Sequence, residues 1–240
     1  AGAPLSTRLC RPVGSAQHAP VSFIDRRCVT CDAGSVPEQD VPRDGVALVS
    51  VAIDIAMLLP PATRAEIVCL NARFPDAGDT GFRFDATHHP HLTLGQHFVD
   101  ATQLDAVCAT VETVLSKHIP LALQITGIRF GRTAQVLAVA PAPALQALHE
   151  HLLDALEPFE AVGTAESFQS DDHPPRTADV AWVTQFRHDS SYARFDPHIT
   201  IGIGSVPVTA KPFEFTGRKI AVFRLGRFCT CRDQLKQWTL

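Results

Sequence analysis

His89-Pro90-His91-Leu92-Thr93-Leu94-Gly95 returns as Asp196-Pro197-His198-Ile199-Thr200-Ile201-Gly202, so Pro-His-apolar-Thr-apolar-Gly occurs twice in 240 residues. Successive side chains of a strand alternate between its faces. The His and Thr of each copy therefore lie on one side, about 7 Å apart, and the apolar residues point to the other. Each copy reads as a strand that sends one face into a core and offers an imidazole and a hydroxyl on the opposite face. Brought together, the two copies supply two proton-transfer groups and two hydroxyl donors, a set suited to phosphate-ester chemistry.

Outward from these motifs, the β-branched run that starts at Val46 and ends at Ile55 predicts a buried strand. Pro60-Pro61 end it and open a helix to about Arg73. The first motif strand is expected over residues 82–98, interrupted near His88-His89-Pro90. Leu104, Val107, Cys108, Val111 and Leu115 follow at helical spacing, and residues 121–129 and 134–140 read as strands. Pro141 and Pro143 precede a helix with Leu145, Leu148, Leu152, Leu153 and Leu156 on one side; His149 and His151 are expected on its surface. Residues 160–178 form a polar connector, residues 180–186 are read as a strand, and residues 213–215 and 219–225 as closing strands.

Composition limits the partners. A net charge of −4 provides no basic field for duplex nucleic acid, so a small anionic substrate held by local groups is the better match. The longest apolar stretch, residues 46–59, is broken by Ser50 and Asp54 and is too short to span a bilayer, so no membrane association is expected. Residues 1–43, rich in Pro, Gly, Ser and Arg, read as an irregular extension before a domain over residues 44–240. Arg8 and Arg11 with no Asp or Glu in residues 1–24 echo a transit segment; the compartment is not fixed, with the cytoplasm favoured, and a monomer is expected. Seven cysteines leave at least one thiol unpaired in a monomer. Cys69 and Cys108 are expected in the core. Cys28, Cys31, Cys229 and Cys231 admit a terminal zinc site, a disulfide or loose thiols.

The doubled His-x-Thr resembles the signature of the 2H phosphoesterase superfamily. Its bacterial 2′-5′ RNA ligase branch is resembled further by Ala52-Ile53-Asp54-Ile55, by Asn71-Ala72-Arg73, by Phe84 to Gln96, by Gly163-Thr164-Ala165, by Phe195 to Gly202 and by Leu225 to Thr230. The resemblance covers about residues 44–240. It implies an α+β, bilobal, pseudo-two-fold fold with antiparallel sheets lining a central cleft, helices outside and one motif in each lobe. It also implies cleavage of cyclic or 2′-linked phosphodiesters of nucleotides or RNA ends without metal or cofactor. His91 and His198 would be the catalytic pair, and Thr93 and Thr200 the phosphate-binding hydroxyls.

The residues support the same chemistry on their own. Imidazole titrates near neutrality, so one ring can serve as base while the other serves as acid, and hydroxyls can donate to the oxygens on which charge develops. Which ring takes which role is open at this level. Gln96, Phe195, Arg132 and Arg194 are candidate substrate contacts, Arg129 a further anion contact, and Thr87, His88 and His97 candidates for shaping the cleft. Two alternatives remain: a metal-assisted hydrolase using His89, His91, Asp196 and His198, which leaves the repeated Thr without a role, and a non-catalytic module that binds nucleotides or RNA ends.

Overall fold

Large and small side chains alternate along Val51-Ala52-Ile53-Asp54-Ile55-Ala56-Met57, and that alternation decides how the first strand sits. The computed structural model describes residues 49–76, 80–170 and 173–240. In it β1 (Ser50–Leu58) turns Val51, Ile53, Ile55 and Met57 into the main core. Its other face carries only Ala52, Asp54, Ala56 and Leu58, which leaves room above the sheet. The extension over residues 1–43, with Cys10, Cys28 and Cys31, lies outside the described residues, as does the zinc site or disulfide that would use them. The four described cysteines are free thiols, and Cys69 is exposed rather than in the core.

The architecture is α+β with two four-stranded antiparallel sheets, in agreement with the sequence reading. One sheet runs in the order β2 (His91–Asp100), β1, β7 (Lys219–Leu225), β8 (Cys231–Thr239). The other runs β5 (His198–Ile203), β4 (Ala134–Val139), β3 (Leu121–Phe130), β6 (Phe213–Gly217). Each motif strand is the edge strand of its sheet, and the two motif strands approach each other. Among the described residues, four α-helices accompany the sheets: α1 (Pro61–Asn71), α2 (Leu104–Leu115), α3 (Pro143–Leu156) and α4 (Thr177–Ser190). None is long and apolar enough to cross a membrane.

The helix that follows the inner strand of each sheet packs on the motif strand of the other: α1 against β5, and α3 against β2. Each motif strand carries a bulge at the same place. Ala56 pairs with Thr93 and Ile55 with Gly95, so Leu94 has no partner residue; Val136 pairs with Thr200 and Gln135 with Gly202, so Ile201 has none. A bulge leaves backbone groups outside the ladder, and a buried carbonyl so placed needs another donor. The exchanged helices supply it. His149 of α3, wholly buried, donates from Nδ1 to the Leu94 carbonyl at 2.6 Å, and Asn71 of α1 donates from Nδ2 to the Ile201 carbonyl at 3.0 Å.

Several expectations are corrected. His149 is not a surface residue: its Nε2 also accepts the Tyr192 N–H at 3.0 Å, and its ring stacks on Phe195 with centroids 3.8 Å apart. Residues 180–186 are helical, because Val180, Val183 and Phe186 recur every third residue and Asp179 closes the first turn by accepting the Arg176 N–H. The first motif strand begins at His91, not residue 82. Asn71 holds Phe84 N–H and the Phe82 carbonyl with its side chain, so this stretch has no ladder to join. Strand β8 has mostly exposed polar residues without alternation, which is how an edge strand escapes sequence reading.

Removing either helix donor should orphan buried groups. Asn71→Ala, which orphans three backbone groups, and His149→Phe, which orphans two, are each expected to destabilise the fold by about 2–4 kcal/mol. A lowered denaturant midpoint at unchanged m-value would measure it; unchanged midpoints in both would remove the bulge carbonyls as a constraint.

Candidate active site

The bulges decide which side chains face the cleft. Without the extra residue, strict alternation would send Gln96 to the core side with Leu92 and Leu94. With it, His91, Thr93 and Gln96 share a face opposite Leu58, Ala56 and Asp54. On the other sheet His198 and Thr200 sit opposite Ala138 and Val136. All five motif side chains line one cleft of about 710 Å³.

Both imidazoles are anchored the same way. Nδ1 of His91 bonds the His89 carbonyl at 2.7 Å, and Nδ1 of His198 bonds the Asp196 carbonyl at 2.7 Å. A carbonyl accepts only, so Nδ1 carries the hydrogen in each ring and Nε2 is the atom left for proton transfer. The proline of each motif stands between the residue whose carbonyl accepts and the histidine, and its fixed φ holds that short loop extended.

The surroundings then differ. Asp54, fully buried on β1, lies 3.5 Å from His91 Nε2 and accepts from Thr93 Oγ1 at 2.8 Å and Gln96 Nε2 at 2.7 Å. Gln96 in turn accepts the Trp182 indole N–H at 2.8 Å, so α4 is tied through two hydrogen bonds to the carboxylate beside His91. Burial pushes the His91 pKa down, but the hydrogen bond and charge of Asp54, with the His89 carbonyl, outweigh it and leave the pKa raised. His198 has no such carboxylate at Nε2. Burial lowers its pKa, against the Asp196 carbonyl and charge, and Arg129 and His91 lower it further. The two rings are thus poised on opposite sides of the ordinary histidine value.

The remaining candidates fall into three groups. Arg132, which lies 5.4 Å from the Trp182 ring, Arg194 and Phe195 line the same cleft. Arg129 lines it too and is paired with Asp196. His97 points away: it pairs with Glu160 at 2.8 Å beside a smaller cavity. Thr87 and His88 gather around Asp85, with His88 stacked on Phe82. The metal quartet does not assemble, since the His89 ring packs on Phe223 and Asp196 is engaged by Arg129. Among the described residues, the His, Cys, Asp and Glu side chains whose ligand atoms converge are Asp54, His91 and Cys231.

Sequence reasoning missed three contributors. Asp54 was legible only as a charge inside an apolar strand, which is itself a signal, because a carboxylate is rarely buried without a task. Trp182 was hidden by the wrong secondary structure. Asp179, 1% exposed, holds the Arg176 side chain and the Phe228 N–H, and so fixes the wall where Arg176 lies 4.0 Å over the Phe228 ring.

The sequence model for a family described as the 2′-5′ RNA ligase superfamily matches residues 70–214. Among solved structures, Escherichia coli LigT complexed with ATP is 19% identical, with 80% of this chain and 98% of that chain covered and a TM-score of 0.51. TT0787 of Thermus thermophilus is 16% identical over 79% and 98% of the two chains, again with a TM-score of 0.51. At these identities the likeness is one of fold. No curated protein matches the chain by sequence.

Trp182→Phe keeps an aromatic ring but removes the indole N–H that holds Gln96, together with part of the ring surface packed on Phe186. Its expected effect is a loss of at least about 1 kcal/mol in stability, the scale of one hydrogen bond. A lowered denaturant midpoint at unchanged m-value would measure it, and an unchanged midpoint would remove the Trp182–Gln96 bond as a constraint on the site.

Proposed function

The chain belongs to the 2′-5′ RNA ligase superfamily of 2H phosphoesterases, and from that premise we propose that it cleaves cyclic or 2′-linked phosphodiesters of nucleotides or RNA ends. Phosphodiesterase-type chemistry goes with the family. The finer reading, metal-independent hydrolysis with two histidines as base and acid, is supported by one observation above all. Two imidazoles anchored alike through Nδ1 lie in one cleft with environments that push their pKa values apart.

In this reading His198, whose pKa is lowered, is the base. Its Nε2 takes a proton from water as the water oxygen bonds phosphorus. His91, kept protonated beside Asp54, is the acid: as the ester P–O bond breaks, its Nε2–H passes to the leaving alkoxide. The products are a phosphomonoester and a free hydroxyl, and the two rings exchange protons with solvent to return to their starting states. Thr200 donates to a non-bridging oxygen. Thr93 donates to Asp54 in this structure, so it turns to the phosphate only when substrate arrives. Arg129, Arg132 and Arg194 bring positive charge to a cleft in an otherwise acidic protein, and Phe195 and Gln96 contact substrate at its margins.

Replacing either histidine with Ala should lower turnover of a 2′,3′-cyclic nucleotide at least about a hundredfold. The pH profile of kcat/KM should be bell-shaped. Its acid limb reflects protonation of His198 below the ordinary value of 6.5, and its basic limb reflects loss of the His91 proton above it. Asp54→Asn removes the group that holds that proton, so the basic limb should move to lower pH while the acid limb stays. Tight nucleotide binding with no turnover on 2′,3′-cyclic nucleotides, ADP-ribose cyclic phosphate or 2′-5′ oligoadenylate would replace this reading with that of a binding module.

A further inference from the structure

Cys231 stands where the proposed reaction has no use for a thiol. It opens β8, is wholly buried, and its carbonyl accepts the His89 N–H at 3.1 Å, from the same residue whose carbonyl anchors His91. One ligand atom from each of Asp54, His91 and Cys231 lies within 4.8 Å of the other two. His91 Nε2 and Asp54 Oδ2 are already 3.5 Å apart. Ligands at the usual zinc distances are separated by about 3.3–3.7 Å around a tetrahedron, so the set is close to closing on one ion. A second observation points to a ligand here: Asp54 Oδ1 is buried and has no hydrogen-bond partner, although buried carboxylate oxygens are normally satisfied.

We propose that Asp54, His91 and Cys231 form a site for a borderline-soft divalent ion, zinc above all, that blocks the enzyme rather than serving it. Carboxylate, imidazole and thiolate together suit Zn²⁺ or Co²⁺ and not Mg²⁺ or Ca²⁺, which prefer oxygen alone. The cleft supplies the fourth position and the entry path, since His91 lines it. On binding, the Cys231 S–H proton and the His91 Nε2–H proton both leave to solvent as the sulfur–metal and nitrogen–metal bonds form, and no electrons are transferred. The ion occupies His91 Nε2, the atom that must carry a proton to the leaving group. That consequence for turnover rests on the acid role proposed for His91; the binding site itself does not.

The test uses the full chain, stripped of metal and titrated with Co²⁺ under reducing conditions. Expected are a thiolate-to-cobalt charge-transfer band and the intense visible bands of a tetrahedral ion. Cys231→Ser should abolish the charge-transfer band with metal-free activity retained, and Cys229→Ser should leave it in place. His91→Gln should weaken cobalt binding at least about tenfold, the scale seen even for loss of an outer-shell partner. Zn²⁺ should inhibit reversibly, with full recovery on chelation, and Mg²⁺ should not. Should Cys231→Ser fail to fold, the His91→Gln titration decides the matter. A band that is missing, that survives Cys231→Ser, or that forms with undiminished cobalt affinity in His91→Gln overturns the metal site whatever the activity. A band that forms as expected while zinc occupancy leaves turnover intact overturns the role of His91 as acid, and the site stands.

Discussion

A buried carbonyl must be given a donor, and this fold turns that requirement into a clasp between its two halves. Leu94 and Ile201 are displaced from their ladders by bulges inside the motifs. Their carbonyls are satisfied from the helix that belongs by sequence to the other sheet's inner strand, through His149 and Asn71. The motif strands are edge strands, which lack a neighbour on one side and would otherwise be the least constrained part of each sheet. Pinning each bulge from across the molecule fixes the register of the residues on either side. It also couples the position of one histidine to the packing of the opposite half. Phe195 extends the clasp: it stacks on His149 and lies three residues before His198.

Two motifs of nearly identical sequence are thereby set in the same backbone geometry and then distinguished by what surrounds them. The inner strand beside the first motif presents Asp54, and the inner strand beside the second presents Val136 and Ala138. A carboxylate beside one ring, and burial with the charges of Arg129 and His91 at the other, give opposite shifts from the same chemical group. The repeat makes a pair of imidazoles. The inner strands make them unlike.

Much of this was readable from the chain alone where the signal was local and periodic. The doubled motif is a literal repeat, β1 and the helices around Leu104–Leu115 and Pro143–Leu156 follow from hydrophobic spacing and proline placement, and the α+β fold is what the family resemblance implies. What escaped depended on contacts distant in sequence. His149 looked like a surface residue because its partner carbonyl exists only through a bulge on a strand 55 positions away. Asp54, Gln96 and Trp182 form one hydrogen-bonded chain drawn from three elements, and nothing in the spacing of any one of them announces the other two. The helix at Thr177–Ser190 was misread because its apolar residues are few, so β-branched content outweighed the three-residue spacing.

In the proposed mechanism the buried carboxylate governs how long His91 keeps its proton. Asp54 is out of contact with solvent, and its neighbours Thr93 and Gln96 donate hydrogen bonds but carry no charge. While His91 is protonated, the carboxylate faces a cation 3.5 Å away, and the desolvation of both is largely offset by their attraction. Once the imidazole gives up its proton, the carboxylate is left with neutral partners alone, which is the costlier arrangement of a buried charge. In the proposed mechanism the pair would therefore resist giving its proton to bulk water, yield it to a leaving alkoxide that is a far stronger base, and regain it when product departs. A surface histidine could supply the same proton, but nothing would hold it in the charged form above its ordinary pKa, and it would be the neutral ring that met the substrate.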